Sequence, residues 1–283
     1  MNQLRFRIKH HVTRKLRLSN SRPYLSCDLF LKECDYAIPD NLSTINENRA
    51  LKAKALFVPS HHLTTIFKEY GNKLNTLIIF CGNSDYEFKE EILNIPKKVE
   101  RLYLQNSYIS DNSRVLTLPI GIENLRFARN GFKSSMKRDS KESNSQESAI
   151  MVGPFSPTHK KRKEIYESFR NSNSWKVFNL PVLPDEFQRL HRNFRFTLCP
   201  RGNGVDTHRV WESIYRGSWP IVEKDSWSLS LKDKFPLVIV DSLLDKDALM
   251  QLTKNIEYLK PPVVPTELYW KFWLHLIRKF KQG

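Results

Sequence analysis

Apolar residues come in short unbroken runs, and stretches with helical spacing separate them. Residues 55–59 (ALFVP), 75–81 (NTLIIFC), 99–104 and 115–120 line up β-branched and aromatic side chains with no polar face between them. Strands that are apolar on both sides are predicted where a parallel sheet is covered by helices on both faces. Helices are expected at 62–70 and 87–95. The alternation restarts after residue 150, with strands predicted at 150–152, 175–180, 194–199, 219–222 and 237–240. The helices between them fall at 160–170, 183–192, 207–216 and 248–259. A last helix, 266–281, carries Leu268, Trp270, Trp273, Leu274 and Ile277, a spacing suited to core packing across the two halves.

Residues 133–149 (KSSMKRDSKESNSQESA) interrupt the pattern with Ser and charge, as a linker or surface loop would. The expected fold is therefore α/β, with two Rossmann-like domains facing a cleft. The segments are a basic arm (1–20), an amino-terminal domain (21–132), the linker (133–149) and a carboxy-terminal domain (150–283).

Composition excludes several classes. The 283 residues are 12% aromatic, too many for a disordered chain, and no apolar run approaches the ~18 residues that cross a bilayer. The basic start lacks the apolar core of a secretory signal. Cys27, Cys34, Cys81 and Cys199 have no CxxC spacing, which argues against a zinc site and suits a reducing, cytoplasmic setting. Lys and Arg number 46 against 30 Asp and Glu, a net charge of +16 that favours a polyanionic partner. Residues 1–20 hold Arg5, Arg7, Lys9, Arg14, Lys15 and Arg17 interleaved with Leu4, Phe6 and Ile8, and no acid. That pattern fits either a solvated arm or a segment resting on an anionic membrane surface.

Candidate chemistry concentrates in FRFTLCPRGNGVDTHRVWESIYRGSWPIV, residues 194–222. A strand runs into the loop Arg201-Gly202-Asn203-Gly204, with Asp206 expected as the N-cap of a helix from Thr207 to Arg216 and Gly217 as its stop. Glycines let a backbone approach closely, and the free N–H groups and dipole of a helix start favour phosphate. Arg201, His208 and Arg209 add positive charge there. Glu212, one turn further on, is placed to accept from a ribose diol. Together these groups would recognise a nucleoside diphosphate. A turn whose Arg and Glu simply pair with each other is the other reading.

CPRGNGVDTHRVWESIYRGSWPIV resembles the donor-site signature of exostosin-like glycosyltransferases of the GT-B type. Weaker likenesses are Tyr24 to Asp35, Gly82-Asn83-Ser84-Asp85, Gln105-Asn106, and Leu118-Pro119-Ile120-Gly121-Ile122-Glu123-Asn124, with Cys81-Gly82 departing from the family's usual Thr-His. The resemblance implies a hexosyl- or pentosyltransferase of polysaccharide biosynthesis, with a nucleotide-sugar as co-substrate and neither cofactor nor obligatory metal. The carboxy-terminal domain would bind the donor and the amino-terminal one a glycan or lipid-linked acceptor. Arg201 and Arg209 would stabilise the leaving diphosphate, Arg162 would reach it from a second side, and Asn203 would contact the sugar. Asp85 or Glu123 would supply the base of an inverting transfer, a retaining course remaining open. Asp245-Lys246-Asp247 has the metal-binding DxD spacing of another glycosyltransferase fold, but it precedes a helix and reads better as a capped start. The charge keeps a second acceptor class open: DNA, modified or simply bound.

Overall fold

The computed structural model describes residues 21–89, 94–125, 133, 136, 148–171, 175–178, 187, 191–255 and 260–282. The basic arm, most of the predicted linker and most of the helix expected at 183–192 lie outside them.

Two five-stranded, wholly parallel sheets organise the chain. In the first, β1 (Tyr36–Ala37), β2 (Ala55–Pro59), β3 (Ile78–Gly82), β4 (Arg101–Leu104) and β5 (Val115–Thr117) stand in sequential order. When each parallel strand is added on the same side of the last, right-handed crossovers leave their helices on one face. Accordingly α2 (Glu47–Lys52) and α3 (Leu63–Tyr70) pack with Leu56, Val58, Ile79, Leu102 and Leu104. The opposite face, with Phe57, Phe80 and Tyr103, is covered by α1 (Cys27–Glu33) and by the last helix, Trp270–Gln282, through Phe30, Trp270, Trp273 and Ile277. The first sheet is thus completed by the far end of the chain.

The second sheet contains β6 (Ser148–Val152), β7 (Lys176–Val177), β8 (Phe194–Leu198), β9 (Trp219–Glu223) and β10 (Val238–Val240). Its order is β7-β6-β8-β9-β10. The winding direction reverses between β6 and β8, and helices cover both faces. Lys160–Phe169 (α4) and Lys246–Lys254 lie on one, His208–Arg216 (α5) and Ser226–Leu231 on the other. Such a reversal opens a crevice above the carboxyl ends of the two central strands.

Element boundaries shift in places. The helix expected from 87 does not start there. Phe88 donates its N–H to the Asn106 carbonyl and accepts from the Tyr108 N–H (3.0 and 2.8 Å), so both its backbone groups are committed to an extended pairing. Residues 90–93 of that stretch are outside the described set. Three short helices, at 27–33, 47–52 and 226–231, escaped the sequence reading. Asp245 caps its helix by accepting from the Ala248 N–H. The four cysteines are free and buried. No helix among the described residues is long and apolar enough to cross a membrane.

Candidate functional site

The loop after β8, residues 199–207, sits where the crevice of the second half meets the carboxyl ends of the first sheet. Its glycines are fitted to neighbours. A Cβ on Gly204 would lie 2.4 Å from Asn106 Oδ1, and one on Gly202 would lie 2.9 Å from Arg162 Nη2. Asn106, held in the left-handed region (φ 51°), accepts from the Asp206 N–H at 2.9 Å and donates to the Ser84 carbonyl at 3.1 Å.

Asp206 is not the N-cap; that position is Thr207, which makes no side-chain capping bond. The Asp206 carboxylate is buried. It accepts from the Ile120 N–H (2.8 Å) and the Trp211 indole (2.6 Å), tying the loop to the Pro119-Ile120-Gly121 segment of the first half. Burial pushes its pKa up to about 7, against the pull of those two donors. His208 is likewise engaged across the interface, its Nδ1 2.8 Å from the Gly121 carbonyl. Gly121 itself needs φ +69° and backbone room, since a Cβ would meet the Leu25 carbonyl at 2.3 Å.

Two arginines span the crevice. Arg209 donates to the Gly153 and Pro154 carbonyls (3.0 and 2.6 Å) and lies over the rings of Phe155 and Phe187. Arg162, from α4, donates to the carbonyls of Arg201, Ser156 and Pro200 at 2.9, 3.3 and 3.4 Å. Burial, and for Arg162 the nearness of Arg209, lowers both pKa values, to about 10 for Arg162. The hydroxyl of Thr207, at the start of α5, is buried with no hydrogen-bond partner.

Arg201 and Asn203 reach into the first half. Arg201 Nη2 pairs with Glu87 Oε1 at 2.5 Å, and Nη1 donates to the Tyr108 hydroxyl at 3.3 Å. Asn203 donates to Asp85 at 3.0 Å. The structure therefore brings Asp85, Arg162, Arg201, Gly202, Asn203, Gly204, Thr207, His208 and Arg209 to one place. Glu123 is half-buried in the turn after Gly121, two residues from the contact with His208.

Glu212 accepts from Arg216 at 3.1 Å, one turn further along α5, with the two side chains 6% and 0% exposed. Arg216 Nη1 also lies 3.0 Å from His191 Nδ1. A guanidinium only donates, so Nδ1 accepts and the His191 proton sits on Nε2, facing Thr197 (2.8 Å) and Ser213 (3.1 Å). Burial together with Arg216 and Arg209 keeps His191 neutral, its pKa well below normal.

A cavity of about 350 Å³ adjoins the loop, lined among others by Tyr108, His159, Lys161, Arg201, Lys224 and Trp227. The Trp227 indole N–H is buried without a partner. Sequence reasoning named neither Lys224 and Trp227, which follow β9, nor Glu87. The only hint of them was their place just beyond a predicted strand end. Cys199 is buried, its thiol pushed up to about 12, and acts as a core residue.

No family model matches the sequence, and no curated protein does. Among solved structures, an α1,3-fucosyltransferase aligns with 82% of this chain and 78% of its own at TM-score 0.46 and 10% identity. A GtfA/B complex aligns with 81% of this chain and 57% of its own, at TM-score 0.41 and 9% identity. At these values neither neighbour speaks to what this chain acts on.

Proposed function

We propose that the chain is a glycosyltransferase that takes a nucleotide-sugar into the crevice of the second half and passes the sugar to an acceptor held against the first. The observation that carries this reading is the state of Arg162 and Arg209. Both guanidinium groups spend their hydrogen bonds on backbone carbonyls, at the strand reversal and beside a helix start that has no side-chain cap. Concentrated positive charge in a half-enclosed crevice is costly by itself and favourable once a diphosphate arrives. The signature-like run from Cys199 to Val222 supports the same assignment.

In this reading Arg209, Arg162 and the start of α5 stabilise the charge that grows on the departing diphosphate, a task a metal ion performs elsewhere. Glu212 binds the ribose, its direction fixed by Arg216 and His191. Asp85, already at the loop through Asn203, is the nearer candidate for the base. Glycan or lipid-linked acceptors suit the first half. The protein would work on the cytoplasmic side, in peripheral contact with anionic lipid through its arm.

A thermal-shift panel of UDP-, GDP-, CMP- and dTDP-sugars tests the reading, because a ligand that binds only the folded state raises stability by RT ln(1 + [L]/Kd). One nucleotide class should raise Tm, and Arg209→Ala should remove the rise. A flat response to all four classes rejects it.

A further inference from the structure

We propose that Glu87 is an internal stand-in for the donor's phosphate: it holds Arg201 until a diphosphate displaces it, so that donor binding frees the Glu87 carboxylate on the acceptor side. The identity of the displacing ligand rests on the reading above.

Four observations lead to this exchange. First, the ion pair joins a donor-loop arginine to a carboxylate of the opposite half at 2.5 Å, with side chains 27% and 11% exposed. The pair is shielded enough to be strong and open enough to be reached. Second, Arg201 borders the 350 Å³ cavity together with Lys161 and Lys224; Glu223, which pairs with Lys161, and Asp225 line it too, so a multiply charged anion there meets three cations set against two carboxyl groups. Third, Arg201 Nε is buried with no hydrogen-bond partner. Glu87 therefore leaves one guanidinium donor unused, which a ligand with several acceptor oxygens would complete.

Fourth, the interface does not depend on this pair. Asp206 on Ile120, Asn106 on Asp206 and His208 on Gly121 hold the same loop to the first half independently of it. Arg201 can change partner while the halves stay together. The freed carboxylate lies two residues from Asp85, which Asn203 holds at the loop, and beside Tyr86, 47% exposed, while Phe88 stays paired through its backbone. Donor arrival would thus put a second carboxylate, Glu87, near Asp85 on the acceptor side, giving an ordered reaction with the donor first.

A competitor inside the site raises the apparent Kd by the reciprocal of the fraction of molecules in which Arg201 is free. The test is titration calorimetry of the full-length protein with inorganic pyrophosphate, UDP and GDP, for wild type, Glu87→Gln, Glu87→Asp and Arg201→Ala, with the Tm of each recorded. Glu87→Gln should bind pyrophosphate on the order of 10-fold more tightly than wild type. Glu87→Asp, charged but shorter, should fall between, and Arg201→Ala should bind more weakly. If Glu87→Gln, with an unchanged Tm, binds no more tightly while Arg201→Ala weakens binding, the pair is only interdomain glue; the inference fails and the functional reading stands. If Arg201→Ala binds as wild type does, the inference fails for want of a phosphate contact. If no form binds any of the three probes, the reading of the crevice falls and takes the inference with it.

Discussion

Arg209 meets two carbonyls and two aromatic faces, a setting that fixes its guanidinium without neutralising it. A group pre-placed in this way contributes most when negative charge peaks. Arg209→Ala should therefore lower kcat/KM by ~10²-fold or more in a folded protein, measured as donor turnover. Asp206 makes a separate prediction. Its folded pKa, about 7, lies above the ordinary ~3.9 of an unfolded chain, so the native state binds the extra proton between those values. Stability should fall as pH rises from about 4 to 7, because ionising the buried carboxyl opposes folding. Tm measured across that range should decline more steeply for wild type than for Asp206→Asn. Parallel curves would remove Asp206 as the cause.

At the scale of elements, α5 carries Arg209 and, further along the same face, a buried ion pair, both arginines lying over Phe187. Arg216 is fully buried, and Glu212 supplies its carboxylate partner. Removing one member of such a pair leaves a charge in the interior, so Glu212→Ala should cost about 3 kcal/mol or more in denaturant melts. It should also weaken binding of a nucleoside diphosphate if the ribose contact is real. Lost stability with unchanged affinity would assign Glu212 to structure alone. The stop and strand flanks of this helix were legible because Gly217 and the continuous runs FRFTL and WPIVE are local signals. The mispredicted elements had non-local causes. Phe88 is extended because a distant strand end takes both its backbone groups. Asp206 lost its expected capping role to Ile120 and Trp211, partners that no spacing within the loop reveals.

Across the whole molecule, the net charge of +16 has to be apportioned. The crevice accounts for a few cations. The arm adds six, each contributing about 1 kcal/mol near an anionic surface, an attraction that salt screens. Deleting residues 1–18 should abolish salt-sensitive flotation with phosphatidylserine vesicles and spare nucleotide-sugar binding. Vesicle binding that persists would place the membrane contact elsewhere. A full-length protein that ignores vesicles but binds DNA with a steep salt dependence would favour the nucleic-acid acceptor. The division into two α/β halves could be read from the alternation of runs and helices. The order of the first sheet could not, and the last helix was expected only to pack across the two halves. Sequential parallel strands do not specify the lid; Trp270, Trp273 and Ile277 do, and they lie beyond the entire second half.

That lid sets a timetable for synthesis. Lys281 bonds to the Glu33 carbonyl across 248 residues of chain, and the aromatic face of the first sheet closes only when the same helix docks. At ~10 residues per second, roughly 15 s separate the emergence of β5 from that of Trp270. For that interval α1, through Phe30, is the cover of Phe57 and Phe80, and the place that Trp273 takes against Tyr103 stays open, while the second half, with helices of its own on both faces, can finish. The half encoded last would mature first.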